Sequence, residues 1–300
     1  NDLGFIRRNN NTWGGARLAF RKQEPWGRFI SNNIEFKYTQ NWNRSGLILE
    51  RQFEVEQNNL FSNYWRFGFF GNLFLPGFND EDVFRNDNAW VYKTELWGYG
   101  GPSISTDRRK KIIIGAEFGS GYGKNRGMGY RANVWLQAKP LEQLNFELNV
   151  MEDKSPSYMR WVDIIENFHD TARVYANSTL ITRDINIRLD WTFSPKLTLQ
   201  CYAQPFYVDL DYESFFRLKE PETMNLESYD YLGISGNENP DFKVFNTVGT
   251  FVLRWEYMPG STLYAVYNLN QRSEYSFLTK NWDWLKENAF YLKLNYWFKY

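Results

Sequence analysis

His169, the one histidine of the chain, is the residue type best suited to acid–base chemistry near neutral pH. A serine hydrolase would need this histidine beside a nucleophile and an orienting Asn or Asp on adjacent strands. The surrounding sequence, Asn167-Phe168-His169-Asp170-Thr171, has no clear strand pattern. We therefore predict a surface histidine, no catalytic residues and no enzyme, with a lipase- or protease-type hydrolase as the alternative.

Two acidic clusters carry the hard oxygen ligands that calcium prefers. One runs from Asn79-Asp80-Glu81-Asp82 to Asn86-Asp87, and the other alternates as Asp209, Asp211 and Glu213. The first lacks the central glycine and the spacing of a calcium loop. The single cysteine, Cys201, excludes an internal disulfide and any Cys-rich metal site. The sequence thus predicts no metal and no cofactor.

Two other groups of residues are candidates for binding rather than catalysis. A basic run suited to anionic lipid head groups consists of Arg108, Arg109, Lys110 and Lys111, although an ordinary charged turn is the default. Trp282 and Trp284, in a predicted external loop, could stack on a glycan or contact a partner protein. Aromatic residues at two membrane interfaces would account for most of the other rings without a ligand.

The composition indicates the class of protein that must position these residues. Aromatic residues make up 19% of the 300 residues while the mean hydropathy is −0.60, and no run reaches the ~18 apolar residues of a membrane helix. A membrane β-barrel combines these properties, because only alternate residues of each strand face lipid. The formal net charge is zero, with 35 basic and 35 acidic residues, so no nucleic-acid partner is predicted.

The last twelve residues show the alternation most clearly. One face of this predicted strand carries Phe290, Leu292, Leu294, Tyr296, Phe298 and Tyr300. The stretch resembles the C-terminal assembly signal of bacterial outer-membrane barrels, which implies that Lys293, Phe298 and Tyr300 are read by the barrel-assembly machinery. Asn295 stands where that signal usually has glycine.

Similar alternation along residues 1–300 predicts a single all-β domain, an antiparallel transmembrane β-barrel with about 14–16 strands in this chain. Residues 155–182 are the least regular, and we expect two strands there. Short turns at Pro140, Pro195 and Pro259 are predicted to be periplasmic, and residues 206–245 are predicted to form a long extracellular loop. The odd count suggests that strands preceding Asn1 complete the barrel. A soluble sandwich or propeller is the alternative fold.

The polar faces of the predicted strands mix acidic and basic residues, including Arg17, Glu35, Lys37, Glu54 and Arg131. Strongly ion-selective pores line up rings of one sign, whereas mixed signs allow pairing between neighbouring strands. The sequence therefore predicts a weakly selective or filled lumen, stiffened by ion pairs.

Three segments resemble one family: NDLGFIRR at residues 1–8, SPKLTLQCYAQPF at 194–206 and RWEYMPGSTL at 254–263. That family is a group of Bacteroidota outer-membrane proteins of unknown function. The resemblance implies a β-sandwich similar to a carbohydrate-binding module, followed by a barrel of which this chain is the C-terminal part. The family carries no assigned catalytic residues.

These observations together predict a multi-pass barrel in the bacterial outer membrane. We expect a channel or scaffold that handles glycans or joins a larger envelope complex, with a passive diffusion porin as another alternative. The expected partners are outer-membrane lipid, lipopolysaccharide, the assembly machinery, and surface glycans or other envelope proteins.

Overall fold

The computed structural model describes residues 10–80, 90–167, 170–220, 225–231, 240–277 and 279–298. Regular structure in these residues is β-strand, and none of them forms a helix that could cross a membrane. The strands are β1 Asn11–Lys22, β2 Phe29–Asn43, β3 Ile48–Phe61, β4 Arg66–Leu75, β5 Phe78–Asn79, β6 Tyr92–Lys93, β7 Trp97–Ser105, β8 Ile112–Gly123, β9 Gly127–Leu141, β10 Leu144–Asn167, β11 Asp170–Ser194, β12 Leu197–Glu220, β13 Asn225–Ser228, β14 Phe242–Met258, β15 Ser261–Ser276, β16 Asn281–Lys286 and β17 Ala289–Asn295.

Fifteen of these strands form one antiparallel sheet, within the predicted range of about 14–16. The order is β1-β2-β3-β4-β7-β8-β9-β10-β11-β12-β14-β15-β16, with β13 added to β12 and β17 to β15. β16 and β17 pair with successive halves of β15, so together they form one interrupted final strand. β5 and β6 form a separate small pair.

The sheet is open within the described residues. β1 pairs only with β2, and β16 and β17 pair only with β15. The predicted closed barrel is therefore not formed by these strands, because the first and last strands each lack a second neighbour.

The two faces of the sheet reverse the usual pattern of burial. The apolar face carries exposed hydrophobic side chains, such as Phe118 at 47% and Val134 at 51% exposure. On the polar face, the acidic side chains of Glu35 and Asp153 are 15% and 19% exposed, and their basic partners Arg17 and Arg131 are 57% and 50% exposed. Soluble sheets bury the apolar face instead, so this arrangement fits an apolar solvent outside the sheet.

β10, β11 and β12 contain 24, 25 and 24 residues, more than twice the ~9–11 that cross a membrane. The separate strands predicted within 155–182 are wrong, since this region contains the outer halves of β10 and β11. Much of the predicted 206–245 loop is also strand, because β12 extends to Glu220 and β14 begins at Phe242. Register shifts at Ser157/Arg160 and Asn177/Ser178 interrupt the period of two, which hid these strands in the sequence.

The extended halves of these strands enclose a small hydrophobic core. Its buried members are Tyr92, Tyr158, Met159, Tyr175 and Leu218. Tyr175 is fully buried and meets the rings of Tyr92 and Trp161 edge-on, each with centroids 5.4 Å apart. The β4–β7 connection thus packs against β10 and β11 beyond the edge of the apolar band. Burial raises the pKa of the Tyr158 hydroxyl, which accepts a hydrogen bond from the Glu95 N–H at 3.1 Å.

Candidate functional site

Within the described residues, the fold does not bring the predicted chemical candidates together. His169 and residues 81–87 of the first acidic cluster lie outside the described residues. Asp80 is buried and accepts a hydrogen bond from Asn43 Nδ2 at 3.3 Å, and Asn79 Nδ2 donates to the Tyr92 hydroxyl at 3.0 Å. Asp80 therefore joins the β2–β3 turn to the β4–β7 connection.

The second acidic cluster lies on β12 rather than in a loop, and its carboxylates have separate partners. Asp209 pairs with Lys243 at 3.0 Å, whereas Glu213 accepts a hydrogen bond from Thr179 Oγ1 at 2.9 Å. Among the described residues, no group of three or more His, Cys, Asp and Glu side chains could hold a metal ion. Asp211 has a raised pKa because burial disfavours its charged form.

The basic run lies in the turn between β7 and β8. Arg109 donates two side-chain hydrogen bonds to Asp107, at 2.9 and 2.8 Å, and its guanidinium lies 3.0 Å from the centroid of the Tyr64 ring. The Arg109 side chain holds the pKa of the buried Asp107 carboxyl at about 2. Lys111 Nζ donates to the Pro140 carbonyl at 3.0 Å. Part of the run therefore stabilises the turn itself, and contact with lipid head groups stays a prediction.

Trp282 and Trp284 lie on β16 and not in the predicted loop, because residues 281–286 pair with β15. Trp282 contacts Tyr275, with centroids 5.4 Å apart, and Trp284 contacts Phe245 at 5.9 Å. Trp284 remains 51% exposed, so one of the two predicted rings is open to a partner.

The C-terminal residues are exposed as far as the structure describes them. Lys293 pairs with Tyr264 in the β15–β17 register, and Phe298 is 72% exposed. Tyr300 lies outside the described residues. The Trp297 N–H donates to the buried Ser261 hydroxyl at 2.9 Å, which ties the end of the chain to the β14–β15 turn.

Ion pairs join neighbouring strands across the polar face. Lys37 bonds Glu54 at 3.1 Å, and Arg131 bonds Asp153 at 2.9 Å, each pair directly opposite in register. These cross-strand pairs agree with the mixed signs of the sequence.

The polar face also contains a cavity of about 440 Å³ between β3 and β9. Its polar side chains are Glu56, Asn58, Ser103, Glu117 and Arg131, and its aromatic side chains on this face are Phe70 and Tyr99. We call this set the polar-face pocket. Its size falls within the range of about 300–1,000 Å³ that is common for small-molecule sites.

Glycines position the rings of the polar-face pocket. A Cβ on Gly119 would lie 2.3 Å from the Tyr99 hydroxyl oxygen and 3.0 Å from Phe70 Cζ. Because Gly119 has no side chain, both rings rest against the backbone of β8. Their centroids are 5.5 Å apart with an interplanar angle of 43°, and both side chains are half-buried.

Further aromatic side chains extend this surface along the same strands. Phe74 stacks on Trp97 with centroids 4.1 Å apart and an interplanar angle of 3°. The Arg126 guanidinium lies 4.5 Å from the Trp97 ring centroid. Trp97 and Tyr99 are two positions apart on β7, so they share the polar face. The rings therefore form a row that leads from the end of β4 to the polar-face pocket.

A second cavity of about 930 Å³ lies on the apolar face. Gly71, Gly98 and Gly100 form its floor, and Phe53 and Leu73 are among the side chains that surround it. Since three neighbouring positions carry no side chain, this face has a groove rather than a uniform surface. Its apolar lining suits a hydrocarbon chain.

Comparison with known proteins establishes the family. The whole chain, residues 1–300, matches the family described as "Domain of unknown function (DUF5916)". The chain belongs to the DUF5916 family. This agrees with the resemblance to a family of unknown function, while the Bacteroidota source and the N-terminal sandwich stay predictions.

This DUF5916 chain has no match among curated proteins. Among solved structures it is similar to the NanC porin in a rhombohedral crystal form, with 12% sequence identity over 95% of this chain and 99% of that one. The TM-score is 0.23, which is too low to carry an argument about fold or function. The architecture of the DUF5916 chain is therefore argued from its own strand pairing and burial.

Sequence reasoning did not find the polar-face pocket of the DUF5916 chain. The glycine-rich residues 98–101 are typical of a turn, yet Trp97–Ser105 is a strand that carries Tyr99 and Ser103. The alternation places Arg131 on a polar face, but nothing local in the sequence indicates that it lies near Glu117. The usable signal was the glycine-rich sequence at 98–101 and 119–123, since glycine in a strand often marks close approach by a neighbouring group.

Proposed function

We propose that this chain forms most of a channel-forming β-barrel in the bacterial outer membrane. Its apolar face would contact lipid acyl chains, and its polar face would line a water-filled lumen. The observation that carries this proposal is a broad apolar face that is exposed on the opposite side of the sheet from a face of paired charges. Rings and aliphatic side chains are exposed on the first face, whereas acidic and basic residues pair between neighbouring strands on the second.

The open edges of the sheet support closure by further strands. β1 is exposed along almost its whole length, with Leu18 and Phe20 each 56% exposed. β17 is similarly exposed, with Leu292 at 66%. Unpaired backbone groups at such edges are costly in hydrocarbon, because no water is present to replace the missing hydrogen bonds. We infer that strands other than those described here pair with both edges.

The lengths of the connections support one orientation. β9–β10, β11–β12 and β14–β15 are joined by very short turns at one end of the sheet, and the long β4–β7 and β12–β14 connections lie at the other. Outer-membrane barrels place short turns in the periplasm and long loops outside the cell. In this orientation the hydrophobic core around Tyr175 would be extracellular, and the basic run at 108–111 would be periplasmic.

The surface at the two ends suggests partners for each side. At the extracellular end, Trp284 on the apolar face has Lys286 Nζ 5.8 Å from its ring centroid, which is a combination suited to lipopolysaccharide head groups. At the periplasmic end, the exposed Phe298 and the neighbouring strand carrying Lys293 would engage the barrel-assembly machinery. The extended hairpins of β10–β12 would bind a glycan or another envelope protein. In the second case the barrel would be part of a larger complex.

The proposal is tested with the intact protein in planar lipid bilayers. We expect discrete, weakly ion-selective conductance steps, because the charges of the polar face are mixed and paired. Stable solubility as a monodisperse species without detergent would contradict the membrane location. Insertion without conductance would instead favour a scaffold barrel. Phospholipid or peptide hydrolysis that is abolished by His169→Ala would replace the channel by the hydrolase alternative.

A further inference from the structure

We propose that the polar-face pocket binds a neutral saccharide, as one unit of a longer chain of sugars. This inference rests on the proposed function, because the pocket is accessible to a solute only if the polar face lines a lumen. The binding site consists of residues of the described strands, and neutral saccharides are the substrate class of the channel. Glu56, Asn58, Phe70, Tyr99, Ser103, Glu117 and Arg131 form the site.

The polar groups of the pocket match the hydroxyls of a sugar. Each sugar hydroxyl both donates and accepts, so a site for sugars needs acceptors and donors in close proximity. Glu56 and Glu117 supply carboxylate acceptors, whereas Arg131 supplies donors. Asn58 and Ser103 can act in either sense.

The aromatic side chains of the pocket match the apolar faces of a sugar ring. A pyranose ring presents C–H groups on its faces and hydroxyls around its edge, so it packs on an aromatic face while its edge forms hydrogen bonds. Tyr99 and Phe70 rest on Gly119 and are half-buried, so part of each side chain remains accessible. Ser103 Oγ packs directly against Gly68, where a Cβ would lie only 2.4 Å from it.

An organic cation is the competing ligand for aromatic faces and carboxylates, and the two glutamates of the pocket would attract it. Arg131 supplies the opposing positive charge among the lining residues, although it is already paired with Asp153. Arg131 is held by Asp153 through Nε at 2.9 Å, and Asn58 Nδ2 donates to Glu56 at 2.9 Å. Both charged groups are thus pre-oriented by neighbours and still keep free hydrogen-bonding positions, as a neutral polar ligand requires.

The aromatic row extends the site from one sugar unit to several. Phe74 and Phe70 are four positions apart on β4, which corresponds to about 13 Å along a strand. On β7, Trp97 lies opposite Phe74, and Tyr99 lies opposite Asn72, midway between the two phenylalanines. Successive ring faces along a lumen allow a chain of sugars to move from one stacking position to the next without losing contact.

The inference is tested by equilibrium binding and by conductance on the same intact protein. The probes are neutral glucose oligosaccharides of two to six units, with tetramethylammonium as the cationic probe. We expect oligosaccharide binding in detergent micelles and transient interruptions of the current in bilayers. Tyr99→Ala should weaken binding roughly tenfold or more, because it removes a ring at the centre of the site. Glu117→Gln should weaken it by about tenfold, as expected when a hydrogen bond to a charged group is lost.

Two matched variants control for folding and for general effects of charge. Tyr267→Ala removes the same side chain from the apolar face, and Glu147→Gln neutralises a polar-face carboxylate away from the pocket. Both should bind oligosaccharide as the unmodified protein does. Conductance without any oligosaccharide effect would overturn this inference and leave the channel intact. Saccharide binding without conductance would support the site and contradict the channel. Binding of tetramethylammonium in preference to oligosaccharide would overturn the saccharide assignment.

Discussion

Replacing Val134 by arginine tests the assignment of the apolar face to lipid. Val134 lies at the centre of β9, seven residues from Gly127 and seven from Leu141, and its side chain is 51% exposed. On a face exposed to water, such a substitution changes the free energy of unfolding by about 0.5 kcal/mol or less. At the midplane of a bilayer, an arginine on the lipid face of a barrel costs roughly 2–4 kcal/mol. The two environments therefore predict clearly different results.

The neighbouring residue provides the control at the same depth. Asn133 is on the polar face, directly opposite Glu117 in the β8–β9 register. Asn133→Arg places the new guanidinium beside a carboxylate in the polar interior, and we expect a change of less than about 1 kcal/mol. Val134→Arg should therefore be less stable than Asn133→Arg by at least about 2 kcal/mol.

The assay is reversible urea unfolding of the intact protein in lipid vesicles, followed by tryptophan fluorescence. The free energy of unfolding, extrapolated linearly to zero urea, is compared between each variant and the unmodified protein at equal lipid composition. Equal stability of the two variants would refute the lipid-facing assignment. If both faces of β9 were in water, arginine would be tolerated about equally on either face. A larger loss for Asn133→Arg would reverse the assignment of the faces.

Three further predictions concern packing and ionisation. Gly115→Ala should destabilise the protein by about 1–3 kcal/mol in urea unfolding, because its Cβ would lie 2.1 Å from Trp135 Cζ2. The pKa of Asp107 is lowered from 3.8 to about 2, so its stabilising effect is complete above about pH 4 and is lost as the pH falls towards 2. Asp107→Asn should therefore reduce the acid dependence of unfolding in that interval. Tyr175→Ala should cost about 3–5 kcal/mol and make the β4–β7 connection sensitive to protease.

Each of these predictions has a result that would contradict it. Gly98→Ala is the control for Gly115, because its nearest atom would lie at an ordinary 3.4 Å, so equal losses would argue against the overlap with Trp135. An unchanged acid profile after Asp107→Asn would show that its hydrogen bonds with Arg109 do not contribute to stability. Unaltered proteolysis after Tyr175→Ala would mean that the β4–β7 connection is held by other contacts.

Local periodicity made much of the sheet predictable. The alternation in β8, β9 and the second half of β11 assigns Ile114, Val134 and Leu189 to one face and Glu117, Arg131 and Arg188 to the other. The structure keeps that division, because successive side chains of a strand point to opposite faces whatever the partner strand is. The short turns at residues 140, 195 and 259 were also predictable, because two well-marked strands flank each of them.

Strands whose side chains did not alternate were missed. β7 contains Gly98, Gly100 and Gly101, so its sequence is typical of a turn, yet it pairs with both β4 and β8. Gly100 and Gly101 are required by their neighbours, since a Cβ would lie 2.5 Å from the Phe70 carbonyl oxygen at Gly100 and 1.9 Å from the Phe118 carbonyl oxygen at Gly101. The outer halves of β10–β12 were missed because bulges change the phase of their side chains.

The sequence by itself determined which side of each regular strand is apolar, and hence the kind of environment that the sheet requires. Only the tertiary structure decided that Phe70, Tyr99, Glu117 and Arg131 share one pocket, and that both edges of the described sheet are open. The physical reason is range: the period of two is set by bonds between consecutive residues, whereas register and edge pairing are set by hydrogen bonds between strands that are distant in the chain.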